Sequence, residues 1–181
     1  MEQTPLSEPE RLLAVDALEI LDSAPEEAFD RITRLAAELF DAPMAAITFV
    51  DAEREWFKSR LNLSQADTMP RAASFSDRAL AQPPGSVVED SHPDRFQAGA
   101  LLSTEEGHNV GVLSILDDRP RPPLTALETR RLQTLASFVM DALELRRARR
   151  HAVDVQHTLD RLERVVHGVR NPVVQRRRKV G

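Results

Sequence analysis

The residue types best suited to covalent chemistry are sparse in this 181-residue chain. There is no cysteine, which excludes disulfides, thiolate metal sites, thiol nucleophiles and thioether-linked chromophores. No Gly-rich phosphate loop, HExxH or paired-cysteine motif occurs. Five histidines remain. One imidazole suffices as a proximal haem ligand, but His92 reads as part of a polar loop and His108 as part of a hairpin turn. No nucleophile and base stand in a pattern that completes an active site, so an enzyme is not expected.

The elements that would position any site follow from periodicity. Leu12, Leu13, Val15, Ala17, Leu18 and Leu21 recur at helical spacing and predict an amphipathic helix over 8–21. Ser23-Ala-Pro-Glu26 reads as a helix start, with Ser23 as N-cap, proline in the first turn and acids at the positive end of the dipole. That second helix is expected to run to about Phe40, with Phe29, Ile32, Leu35, Ala36 and Leu39 on its buried face. MAAITFV (44–50) and EWFKSR (55–60), joined by an Asp51-Ala-Glu-Arg54 turn, predict a hairpin. A short helix over 76–82 and a short strand over 86–89 follow. A second hairpin is predicted from 99–104 and 110–117 around Glu105-Glu-Gly-His108. Arg119-Pro-Arg-Pro-Pro123 is a stiff connector, and Thr125 caps a long closing helix. Hairpins imply an antiparallel sheet, and the terminal helices can cover one of its faces.

The closing helix carries its own pattern. Phe138, Asp141, Leu145, Ala148, Ala152, Val155, Leu159, Leu162, Val166, Val169 and Val173 alternate spacings of three and four, with only Asp141 polar. Such a seam predicts a parallel homodimer through residues 138–173. A single helix folding back on the body is the alternative. The seam is thinnest at Ala148 and Ala152.

Composition bounds the partners. Apolar residues make up 41% and charged residues 29%, within the globular range. From Arg146 onward eleven Arg/Lys stand against three Asp/Glu, leaving thirteen against twenty-six for residues 1–145 out of totals of 24 and 29. The tail is therefore about +8 and the body about −13. An acidic body argues against nucleic acid, and the basic tail reads as a solvated helix face. No run reaches the roughly 18 apolar residues of a membrane span. MEQTPLSEPE is too acidic for a secretory signal. A cytoplasmic location is expected.

Several blocks, in order, resemble one family. They are Glu19-Ile-Leu-Asp-Ser-Ala-Pro-Glu26, Phe29-Asp-Arg-Ile-Thr33, Phe49-Val-Asp51, Glu55-Trp-Phe-Lys-Ser59, Pro70-Arg71, Ser74-Phe75, Val88-Glu-Asp90, Asp94-Arg-Phe96, Gly111-Val-Leu-Ser-Ile-Leu-Asp117 and Pro120-Arg121. Together they are similar to a bacterial subgroup of GAF sensor domains over roughly residues 10–147. The resemblance implies an α+β fold: a GAF-like central antiparallel sheet with flanking helices, continued by an extended C-terminal coiled-coil helix. It implies three regions: an N-terminal amphipathic helix (1–22), a GAF-like domain (23–147), and a helical signalling linker with a basic tail (148–181). It also implies a pocket on the sheet face away from the terminal helices, with Trp56, Phe57, Arg71, Phe75, Asp90 and Arg95 near its loops. Those six either line a small-molecule site or fill the core and fasten loops. No cofactor is expected. Relatives carry a dozen or more residues between the Arg-Phe and Ala-Gly blocks, whereas Arg95-Phe96-Gln97-Ala98-Gly99 joins them directly here, which implies a shallow or vestigial pocket. The GAF subgroup that reduces methionine sulfoxide needs cysteines that this chain lacks.

A second resemblance lies in the tail. Val166-His-Gly-Val-Arg-Asn-Pro-Val173 is similar to the phosphoacceptor block of histidine kinases, matching at His167, Arg170, Asn171 and Pro172. It implies His167 as phosphoacceptor, with a histidine kinase or receiver domain as partner. Gly168 replaces the usual acid, and the nine residues after Pro172 leave no room for an ATP-binding domain. The expectation is therefore a sensory or regulatory module related to sensor histidine kinases. Its alternatives are phosphotransfer in trans on His167, or a protein-interaction module with a vestigial pocket.

Overall fold

The computed structural model describes residues 7–63 and 67–170, with side chains given except at 73, 91 and 165–170. The chain divides into two units, Met1–Leu143 and Glu144–Gly181.

In the first unit, helix α1 spans Glu8–Ala17, and the Ser7 amide donates to Glu10 Oε2 at 3.1 Å across its first turn. Helix α2 spans Glu27–Leu39. Strands β1 (Met44–Val50) and β2 (Arg54–Leu61) form the first hairpin. A short strand β3 (Thr68–Pro70), a 3₁₀ turn (Arg71–Ala73) and helix α3 (Phe75–Leu80) follow. Strands β4 (Val87–His92), β5 (Arg95–Ser103) and β6 (Asn109–Asp117) form a meander, and α4 begins at Ala126. The six strands lie in the order β3-β2-β1-β6-β5-β4, every pairing antiparallel.

The strands alternate between two faces, as a pleated sheet requires. Ala45, Ile47 and Phe49 of β1 share one core with Leu113 and Ile115 of β6 and with Phe96, Ala98, Ala100 and Leu102 of β5. Val15, Phe29, Ala36 and Phe40 of the first two helical segments, and Leu132, Leu135, Val139 and Leu143 of α4, close that core. The opposite face holds a much smaller cluster: Phe75 and Ala79 of α3 on Leu101 and Val112. At Gly111 β1 passes so close that a Cβ would lie 2.0 Å from the Thr48 carbonyl oxygen, so no larger residue fits this strand pair.

Several sequence expectations shift. The buried side of α2 is Phe29, Thr33, Ala36 and Ala37, followed by Phe40, while Leu35 and Leu39 remain 45% and 42% exposed. The N-cap of α2 is Glu26 and not Ser23, because the Ser23 hydroxyl is engaged elsewhere, donating to the Ile20 carbonyl at 2.6 Å and accepting from Lys58. His92 is the last residue of β4, not part of a loop. Strand β3 and its 3₁₀ turn carry too short a pattern to register by periodicity. Thr125 does cap α4: the Glu128 amide donates to its Oγ1 at 3.3 Å, and Glu128 accepts from the Thr125 amide.

The second unit is helical from Glu144 to Arg170. Leu145, Val155, Leu159 and Leu162 are about half exposed on it. His167 and Arg170 lie on its backbone, with their side chains outside the described ones; Asn171, Pro172 and Val173 lie outside the described residues.

Candidate functional site

The sequence blocks meet around one bulge. β1 and β2 change register between Ile47 and Thr48, so Phe57 faces Thr48, Ser59 faces Ile47, and Lys58 is the extra residue. The bulge turns both Lys58 and Ser59 toward α2. The Lys58 side chain is fully buried. Its ammonium donates to Ser23 Oγ (2.8 Å), the Ala24 carbonyl (2.7 Å) and Glu26 Oε1 (2.8 Å), and sits 5.1 Å over the Phe29 ring. Three acceptors and an aromatic face offset the cost of removing the cation from water. Ser59 donates to Asp30 at 2.6 Å and accepts from Thr33 at 2.8 Å. At the start of β2, four residues before Lys58, the Arg54 guanidinium forks onto both Asp22 oxygens at 3.0 and 2.6 Å and also reaches Asp51. That hydrogen bonding holds the Asp22 carboxyl below its usual range. It also fastens a linker in which Glu19 and Asp22 both adopt left-handed backbone. Arg121 does the same work at the other end, bonding Asp117 and the Phe40 and Asp41 carbonyls.

The face beneath α3 is where the resemblance places a pocket. There Ser76 donates to Glu55 Oε1 at 2.6 Å and its hydroxyl lies 3.2 Å from Thr48 Oγ1, all three residues being buried. Ser74 caps α3 by accepting from the Asp77 amide. The Phe75 ring lies directly over Gly99: a Cβ there would stand 2.8 Å from Phe75 Cε1 and 2.5 Å from Val112 Cγ1. Side chains of the chain itself occupy this part of the face.

The six residues expected near the pocket do not come together. Trp56 is buried in the helix-side core, with Phe75 on the opposite side. Phe57 lies beside Thr48 in the ladder. Arg71 bonds Asp77 (2.6 Å), the Asp51 carbonyl (3.0 Å) and Glu8. Asp90 pairs with Arg78 at 2.7 Å, and Arg95 is exposed opposite His92 at the β4–β5 tip. Lys58, Glu55 and Ser76 were missed as organising residues. Nothing in the alternation of β2, whose sequence REWFKSRL mixes charged and apolar residues, marks them out.

A second concavity, a cleft of about 1140 Å³, lies between Glu8 and Arg11 of α1, Arg71, Asp77, the loop 80–84 and the turn 104–109. Arg11 is buried, forked onto Glu8 and donating to the Val50 carbonyl at 2.7 Å. The hydrogen bonds from Arg11, with those from Arg71, bring the Glu8 pKa down to about 2. Among the described residues, no group of His, Asp or Glu is arranged to hold a metal, and no helix is long and apolar enough to cross a membrane.

Comparison with known proteins matches this architecture. The model of the GAF domain family fits residues 24–143. The chain is 33% identical, over 75% of its length, to the cyclic di-GMP phosphodiesterase PA2567 of Pseudomonas aeruginosa, and spans only 26% of that protein. Solved structures share the fold at low identity. The GAF domain of the Acinetobacter phosphoenolpyruvate-protein phosphotransferase superposes with a TM-score of 0.55 at 15% identity, over 81% of this chain and 96% of that one. The free methionine-R-sulfoxide reductase of Neisseria meningitidis does so with 0.55 at 16%, over 80% and 91%. The six-stranded antiparallel sheet and the family match agree: the chain belongs to the GAF domain family.

Proposed function

We infer that the chain is a sensory or regulatory module of bacterial signal transduction that passes its state on through α4 as a change in how two copies of that helix pack. The carrying observation is the second unit. Leu145, Ala148, Ala152, Val155, Leu159 and Leu162 keep heptad spacing, and all six are exposed. An apolar seam of this period favours a parallel partner helix. In that register Glu144 and Arg149 take the flanking g and e positions, where the glutamate of one copy meets the arginine of the other. A signal then needs only to bind two seam arrangements unequally. The 33% identical relative is named as a phosphodiesterase, which favours a nucleotide-cleaving effector downstream as well as a kinase. Light scattering on the full chain tests the reading. We expect a dimer that becomes monomeric on Leu159→Lys or on deleting 148–181. A monomer at high concentration in the wild type overturns it.

A phosphotransfer role is the second reading, favoured by the block around His167. It predicts acid-labile label on incubation with partner kinases and ATP, absent in His167→Ala. Equal labelling of both proteins, or none in either, removes it.

A further inference from the structure

Helices α1 and α3 lie on opposite faces of the sheet. Val15 of α1 belongs to the large helix-side core, and Phe75 and Ala79 of α3 belong to the smaller cluster. Neither helix is held by much apolar surface. The ten residues of α1 bury Arg11 and Val15, and the six of α3 bury Phe75, Ser76 and Ala79. Helices this short are marginal on their own and need tertiary anchors.

One chain of charged groups anchors both, passing around the end of the β1–β2 hairpin. On the α3 side, Arg71 donates through Nε to Asp77 at 2.6 Å, and its carbonyl accepts from the amide of Ser74, the N-cap of α3, at 2.9 Å. At the hairpin turn, the Arg71 amide donates to the Glu53 carbonyl and Nη1 to the Asp51 carbonyl, both at 3.0 Å. The same Nη1 reaches Glu8 in the first turn of α1. Glu8 also accepts from Arg11 Nε and Nη2 at 2.7 and 2.8 Å, and Arg11 Nη1 donates to the Val50 carbonyl at 2.7 Å. The chain therefore runs Asp77–Arg71–Glu8–Arg11 and meets the sheet at the carbonyls of Val50 and Asp51.

Glu8 is the shared member. Held ionised by hydrogen bonds from Arg11 and Arg71, it bonds both guanidiniums at once. Charge-assisted bonds are the stronger kind. Lifting α3 carries Arg71 away and leaves Glu8 with one cation. Undocking α1 withdraws Glu8 and leaves Arg71 with one carboxylate. Two low-stability elements that share a bridge open together, and such coupling is reciprocal. We propose that the seating of α3 on one face and the docking of α1 on the other are coupled through the Arg71–Glu8 bridge, so that displacing either helix loosens its counterpart. The bridge gives α1 a regulatory role separate from the seam on α4.

Amide hydrogen exchange on the full chain tests this. Phe75→Ala loosens α3 by removing the ring packed over Gly99 and against Val112, without touching a charged member of the chain. We expect the α1 amides of residues 12–17 to exchange at least fivefold faster in this variant. Adding Phe75→Ala to an Arg71→Gln or a Glu8→Ala background should change those rates less than twofold. Reciprocally, Glu8→Ala alone should speed the α3 amides at least fivefold. Amides of the β1–β6 ladder report global unfolding in the same samples and verify that each variant is folded. The two backgrounds cut the bridge from opposite ends, so either one decides if the other fails to fold. Rates in α1 that ignore Phe75→Ala overturn the coupling. So does an acceleration of equal size with the bridge cut. Oligomeric state is read separately by light scattering, so loss of this bridge and loss of the seam are distinguishable.

Discussion

The two faces of the sheet are built on different principles. The helix side is a deep apolar core in which Phe29, Phe49, Ile47, Leu113 and Ile115 are all but inaccessible. A half-buried ion pair and a hydroxyl relay pin its rim through Lys58 and Ser59. The α3 side is thin: a cluster of Phe75, Ala79, Leu101 and Val112 and a carboxylate–hydroxyl chain from Glu55 through Ser76 to Thr48. The difference teaches where constraint lies. One face defines the fold, and the other is an adaptable surface that this chain has filled with its own Phe75.

Substitutions can break that contrast. Phe49→Ala on the helix side should cost the most, about 4 kcal/mol in urea unfolding, from lost transfer energy and the cavity left behind. An equal loss for Phe75→Ala, on the thin face, would erase the distinction. Lys58→Ala should come next at about 3 kcal/mol, because it strips Glu26, Ser23 and the Ala24 carbonyl of a shared donor. A neutral result would mean that the bulge holds without its cation. Ser76→Ala should cost about 2 kcal/mol by leaving the buried Glu55 carboxyl without its donor; equilibrium denaturation reads it directly. The smallest effect is set by pH. Glu8 has a folded-state pKa near 2 against an ordinary 4.5. Its contribution is therefore complete above about pH 4.5 and lost as pH falls toward 2. The melting temperatures of wild type and Glu8→Gln should differ at pH 7 and converge by about pH 2. A gap that persists there would show that Glu8 acts by packing and not by charge.

Much of the helix-side architecture was legible because its signals are periodic. The β1–β2 and β5–β6 hairpins, the Thr125 cap and the antiparallel sheet all follow from alternation and turn chemistry. The face of α2 was read one residue off. Leu35 and Leu39 look like core, yet Thr33 and Ala37 are what the sheet accepts: Ser59 offers Thr33 a hydroxyl partner, and small residues let the helix approach. Lys58 was illegible for a related reason. A lysine in a strand reads as solvent-facing until a bulge, invisible to any period-two pattern, turns it inward. The candidate pocket fared differently. Its six residues are neighbours in pattern but lie on both sides of the sheet, and sidedness depends on registers that only the paired strands reveal.

The Lys58 clamp also bears on the order in which the chain assembles. Its bonds link residues 29 to 35 positions apart, all within α2, its leader and β2. The β1–β6 ladder joins Met44 to Leu116, roughly seventy positions away. Closing the shorter loop costs less chain entropy, and long-range strand pairing is the slower event. During synthesis from the N-terminus, the α2–β1–β2 segment can therefore set its register and bury its lysine before β6 exists to dock against it. The central strand then waits, edge exposed, as the template on which the second hairpin is laid down.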